Sequence, residues 1–211
     1  MQADRMCAIF GDIVKSRVTL ERAELQKRIQ AAVGQVDERF REQIAVPFRI
    51  VAGDEIRGLL RDETCSYELI LAIERAIWPA RMRYSVGIGG VTTELSESID
   101  AMDGPALHRA SEGMDLLKNR KRAHGRLILF RSDDQARDDL LNSLTFLIDS
   151  IKNRWTNEQF ERAQLAQSGM SVAEIAGKHG IRSQNATKSL SKSMYYPVED
   201  AQRQINMVLG K

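Results

Sequence analysis

A chain of 211 residues, 43% hydrophobic and 28% charged with a net charge of +2, has the composition of an ordinary globular protein that can bury one good core and carry a small appendage. No apolar run approaches the roughly 20 residues that span a bilayer, and the N-terminus lacks the basic, apolar and small-residue order of a signal peptide, so a cytoplasmic protein is expected. Cys7 and Cys65 share no metal-ligand spacing and lie in apolar segments, which makes them reduced packing residues rather than a disulfide or a site.

Residues 6–14 form a mostly apolar run, too short for a lone helix, that suits a strand buried on both faces and is interrupted by Asp12. With Thr19 as N-cap and Glu21 in the first turn, Leu25, Ile29, Ala32, Val33, Val36 and Phe40 then mark one face of a long helix. Pro47 opens a strand over 48–52, and Gly53-Asp54 turns it into a second over 56–60, a hairpin. Ile70, Ile73 and Ile77 give a helix over 66–78 that Pro79 ends, and 82–89 alternates as a strand. Leu107, Ala110, Met114 and Leu117 mark another helix, and 125–130 a last strand. Between them Lys118, Arg120, Lys121 and Arg122 read as a solvated loop, or more sharply as a phosphate or nucleic-acid contact.

The resulting order, β-α-β-β-α-β-α-β, is an α/β (α+β) pattern whose first six elements match the split βαβ of ferredoxin-like folds. It places Asp12 and Asp54 near each other at one edge of the sheet. After Ser132, Leu140, Leu144, Leu147, Ile151 and Trp155 suggest a connecting helix, and the rest is helical with breaks at Gly169, Gly180 and Pro197. Three units follow: residues 1–132, a connecting helix over 133–155, and an all-α module over 156–211. A last helix over 198–208 closes this module or pairs two chains. Residues 151–211 hold nine Lys/Arg against five Asp/Glu, a charge of +4 that leaves −2 for residues 1–150, so the positive charge lies where a polyanion would be met.

Nucleotide chemistry needs hard oxygen ligands for Mg²⁺ or Mn²⁺, and Asp12 and Asp54 supply carboxylates from strand ends. Lys15, Ser16 and Arg17 follow Asp12, where cationic side chains and the backbone amides opening a helix can hold phosphate. The plainer alternative has Asp12 satisfying backbone donors and Gly53-Asp54 merely making a turn. His108 and Arg109, near the start of a helix, are candidate acid/base or phosphate-contacting groups, or simply surface residues.

Phe10-Gly11-Asp12-Ile13-Val14 resembles the first metal-binding strand of class III nucleotidyl cyclases, and Ala52-Gly53-Asp54-Glu55 resembles the Gly-Asp hairpin of those enzymes and of diguanylate cyclases. The fuller pattern of residues 11–17, 53–55 and 103–110 is similar to the SatD family of bacterial proteins, over essentially the whole chain, a family that carries no firmly assigned activity. The cyclase resemblance implies two metal-binding aspartates, Asp12 and Asp54, a backbone carbonyl from Ile13, a nucleoside triphosphate ligand and a head-to-tail homodimer. Where adenylyl cyclases carry an Asn and, four residues on, a transition-state Arg, this chain has His108 and Glu112. Replacing a cation by an anion there removes an electrostatic stabiliser and argues against cyclisation of the adenylyl type.

Residues 171–190 read as two helices joined at Gly180, with Ala176 allowing close crossing and Ile181, Ala186 and Leu190 pointing into a core. This resembles the helix-turn-helix of sigma-factor-like and response-regulator-like proteins. Ser183 would cap a recognition helix exposing Gln184, Asn185, Thr187, Lys188 and Ser191, with Arg182, Lys188 and Lys192 supplying charge to DNA. A dimerisation or capping element is the alternative. Two functions stand side by side: a DNA-binding regulator whose cyclase-like domain binds a metal and nucleotide, and a Mg²⁺-dependent nucleotidyl cyclase or transferase with an accessory helix-turn-helix. A remnant in which neither site works is the third.

Overall fold

The computed structural model describes residues 5–14, 22–51 and 55–210, the side chains of Arg22 and Arg120 excepted. Lys15, Ser16, Arg17, Thr19, Glu21, Gly53 and Asp54 lie outside the described residues. The elements are β1 (Met6–Ile13), α1 (Arg22–Arg39), β2 (Ile44–Val51), β3 (Glu55–Leu60), α2 (Ser66–Ile77), β4 (Met82–Gly89), α3 (Pro105–Lys118), α4 (Arg120–Ala123) and β5 (Ile128–Arg131). Five helices follow: α5 (Gln135–Lys152), α6 (Asn157–Gln167), α7 (Val172–Lys178), α8 (Ser183–Lys192) and α9 (Tyr195–Leu209). None of the described helices is long and apolar enough to cross a membrane.

The sheet runs β2-β3-β1-β4-β5. Its first four strands are antiparallel, the ferredoxin-like arrangement, and β5 adds in parallel beside β4 through the α3 crossover. Alternation along β1 divides the core. Cys7, Ile9 and Ile13 pack with α1 and α2, whereas Ala8 and Phe10 pack with Ala106, Leu107, Ala110 and Met114 of α3. A β-carbon at Gly87 would lie 2.1 Å from the Ala106 carbonyl oxygen and 2.4 Å from the Ala110 nitrogen, so the α3 backbone rests directly on β4. The larger cluster continues without interruption into the C-terminal helices through Trp155, Phe160, Ile175, Ala186, Tyr195 and Ile205. The Trp78 and Phe160 rings stack with centroids 3.9 Å apart, and α9 packs against α2 and α5.

Several expectations are corrected. Pro47 does not open β2 but sits inside it, within a register shift between Val46 and Arg49; β2 is an outer strand, where a residue without N–H is tolerated. The strand expected from Gly125 starts at Ile128, because His124 and Gly125 turn the chain with φ of 50° and 87°. Lys118 ends α3 and Arg120–Ala123 form a helical turn capped by the Asn119 side chain, so the basic cluster is not a loop. On α5 the buried face is Leu141, Thr145, Ile148 and Lys152, while Leu140 and Leu147 are exposed: the 3.6-residue period was satisfied equally well one position away. Ser183 is the first residue of α8, and the N-cap is Arg182, in extended backbone with no side-chain cap. Pro197 does not break the chain; it lies in the first turn of α9, where no N–H is needed, and the break falls at Met194 with φ 55°.

Candidate functional site

Near the end of β1, alternation puts Asp12 on the α3 face of the sheet, and its cross-strand partners in register are Glu55 of β3 and Arg83 of β4. Asp12 is 8% exposed. Arg83 Nη1 donates to Asp12 Oδ2 at 2.7 Å, and Lys118 Nζ, at the end of α3, lies 3.7 Å from Asp12 Oδ1 while bonding to Glu55 Oε1. Arg57 completes the cluster: it donates to Glu55 Oε2 at 3.1 Å and to Asp100 Oδ1 at 2.6 Å, with its guanidinium 4.8 Å from the centre of the Phe10 ring. Three carboxylates thus face three cations. Partial burial opposes ionisation of Glu55, but the bonds from Lys118 and Arg57 hold its carboxyl below the usual range. Desolvation works against the Lys118 ammonium as well, and Glu55 and Asp12 outweigh it, holding its pKa above the ordinary lysine value.

Two strand-borne carboxylates in register suit a hard divalent cation whose remaining ligands would be phosphate and water. Among the described residues no third His, Cys, Asp or Glu joins them. An incoming metal would therefore compete with Lys118 for the same oxygens. Asp54 precedes Glu55 directly in sequence and lies outside the described residues, as do Lys15, Ser16 and Arg17. Ile13 is the last residue of β1, with a buried side chain.

His108 and Arg109 are not brought to this end. His108 is exposed, its Nε2 2.7 Å from Asp103 Oδ1, and Arg109 donates to the carbonyl of Ile88, near the far end of β4 from Arg83. Glu112 pairs with Arg131 at 2.7 Å. Arg57, Arg83 and Lys118 were missed from sequence because each is an ordinary basic residue on its own element. For Arg57 and Arg83 the signal was available in the strand pairing, which sets both on the Asp12 face; Lys118 depended on how α3 lies over the sheet.

At the other end of the chain, α7 opens with a Ser171/Glu174 capping box, Gly180 (φ 62°) makes the turn, and α8 follows. Ala186 and Leu190 are buried; Arg182, Ser183, Gln184, Asn185, Thr187, Lys188, Ser191 and Lys192 are exposed. Ile181 is half-buried against the core.

The model of the SatD family matches residues 6–196. No curated protein matches the chain. Among solved structures it is similar to the catalytic core of a rhodopsin-guanylyl cyclase with converted specificity in complex with ATPαS, at 16% identity over 53% of this chain and 72% of that one, TM-score 0.39. It is similar to the guanylyl cyclase Cya2 at 16% identity over 62% and 77%, TM-score 0.39. A regulator of polyketide synthase expression from Bifidobacterium adolescentis aligns at 16% identity over 98% and 82%, TM-score 0.31.

Proposed function

The chain belongs to the SatD family, and from that premise we propose that it is a DNA-binding regulatory protein. Residues 1–132 form a cyclase-like unit that takes Mg²⁺ or Mn²⁺ and a nucleotide at the Asp12 end of the sheet. Residues 133–155 connect it to a helix-turn-helix over 156–211, and a homodimer presents two copies of that module. The observation that carries the reading is the outer face of α8. From Arg182 to Lys192 it exposes cations, amides and hydroxyls with no acidic residue among them, while Ala186 and Leu190 anchor the opposite face. Such a face can bond to phosphates and base edges.

A second reading, a Mg²⁺-dependent nucleotidyl cyclase or nucleotidyltransferase, is favoured by the in-register placement of Asp12 and Glu55 with Lys118 between them. The discriminating experiment incubates full-length protein with each nucleoside triphosphate and Mg²⁺ or Mn²⁺, follows binding by calorimetry and products by mass spectrometry, and measures duplex DNA binding with and without nucleotide. Nucleotide binding without turnover, lost in Asp12→Ala and Asp54→Ala while DNA binding persists, is the expected result. A product that disappears in Asp54→Ala makes the protein an enzyme instead.

A further inference from the structure

A cleft of about 320 Å³ runs along the outer side of β5, between α3–α4 and α5. Four guanidiniums line it: Arg109, Arg122, Arg126 and Arg131. Among the described residues, their bonds leave most of their donors free. Arg109 gives one bond to the Ile88 carbonyl; Arg131 pairs with Glu112 through Nη2, and its buried Nε has no hydrogen-bond partner. Arg126 lies over the Phe146 ring, 4.9 Å from its centroid, and the Arg122 side chain has no partner among the described residues.

The carboxylates in the same wall do not answer these arginines. Asp138 accepts from the Ser132 amide and hydroxyl, and Asp139 accepts from Gln135 Nε2 at 2.8 Å. The cleft therefore keeps a positive charge that its own acids, already bonded to neutral donors, neutralise only in part. Leu116 and Leu129 add apolar wall beside the guanidiniums. Across the cleft Asn142 bonds to both the N–H and the carbonyl of Phe130, at 2.7 and 3.0 Å, so the strand edge is closed to an added strand.

We propose that this cleft is a binding site for a small phosphorylated ligand of about mononucleotide size, separate from the Asp12 end of the sheet. Planar guanidiniums with free paired donors match phosphate oxygens in a bidentate way, and several of them together suit a group of more than one negative charge. The volume lies at the lower end of small-molecule sites, enough for one phosphorylated ring compound. The position agrees with the general behaviour of parallel strands: Arg109 and Arg131 stand at the carboxyl ends of β4 and β5, where crossover units leave their ligand crevice.

The test is calorimetry on the full-length protein with inorganic pyrophosphate and with AMP, adenosine serving as the uncharged control. Saturable binding of one of the two anions and none of adenosine alone is expected. Arg122→Ala with Arg126→Ala should weaken it at least about tenfold, a loss of ~1.4 kcal/mol, whereas Asp12→Ala should leave it within about twofold. Arg122 is exposed, so Arg122→Ala alone, with an unchanged melting temperature, keeps the test valid if the double variant unfolds. The proposal is overturned if neither anion binds saturably at millimolar concentration, if the arginine variants bind as the parent does, or if Asp12→Ala abolishes the signal. It is equally overturned if the arginine variants lose only duplex DNA binding, which would make this a polymer contact.

Discussion

Asp12 stands directly opposite Glu55 on the neighbouring strand, and the ammonium of Lys118 reaches both carboxylates. Lys118 therefore occupies the space a divalent cation would use. In Lys118→Met, Mn²⁺ titrated into the protein should bind more tightly than to the parent, and the Glu55 carboxyl should titrate at higher pH. The stability loss should stay below about 1 kcal/mol, because the Lys118 side chain is 39% exposed and the pair is screened. Glu55 has a lowered folded pKa, so its contribution is present above its unfolded value and fades as pH falls through the folded one; parent and variant should converge in acid. Unchanged Mn²⁺ affinity would remove the competition argument.

A buried network joins α2 and α5 to Arg81, the residue just before β4. Lys152 Nζ bonds to Glu74 Oε2, Arg81 Nη2 lies 3.3 Å from Asp149 Oδ1, and Glu74, Asp149 and Lys152 are all nearly inaccessible. Burial pushes the Asp149 carboxyl up to about 7, helped by the neighbouring Glu74 charge and opposed by Arg81 and Lys152. Glu74, held by the Lys152 ammonium, is the member that stays ionised. The folded state thus binds a proton at Asp149 that the unfolded chain releases near pH 4, so stability should fall as pH rises from about 4 through 7. Urea melts at pH 5 and pH 8 should show this slope in the parent and a flatter one in Asp149→Asn. Lys152→Met, which strands Glu74, should cost about 3–5 kcal/mol.

Much of the frame was legible because alternation and helical spacing are written into single segments. β4 and α2 fall where their apolar periods put them, and Leu107, Ala110, Met114 and Leu117 are all buried. Long-range relations were not legible. Whether Leu140 or Leu141 faces inward depends on how α5 lies against β5, where Asn142 grips Phe130, and not on the α5 sequence alone. The same holds for the site: Asp12 was visible as an acid in an apolar strand, but Glu55, Arg83 and Lys118 become its neighbours only when three separate elements assemble.

A third prediction tests how the C-terminal helices are held. Phe160 of α6 stacks on Trp78, which also donates from Nε1 to Asn157 Oδ1 at 3.0 Å, while Trp155 donates to the Ser193 carbonyl at 2.7 Å. Phe160→Ala should cost about 3–5 kcal/mol through lost burial and stacking. Because one hydrophobic cluster runs from the sheet into these helices, the parent should melt in a single transition. Hydrogen exchange in the variant should rise first in α6–α8; a uniform rise across β1 and β4 as well would mean that these helices have no separate stability to lose.

The last prediction separates the two kinds of contact that α8 offers. Lys188 is exposed and unpaired among the described residues, and it can neutralise one phosphate; Gln184 carries an amide able to read a base edge. Once a preferred duplex has been selected, Lys188→Ala should weaken binding to preferred and random duplexes alike and lower the slope of log K against log salt by about 1. Gln184→Ala should cost about 1–3 kcal/mol on the preferred duplex and little on a random one. Fluorescence anisotropy over a salt series measures both. The two effects must differ in kind, because a charge acts through counterion release whatever the sequence, whereas an amide gains only where donor and acceptor match. If both variants bind both duplexes as the parent does, α8 is not the DNA-facing helix, and its uncharged and cationic face must be explained by contact with another protein surface.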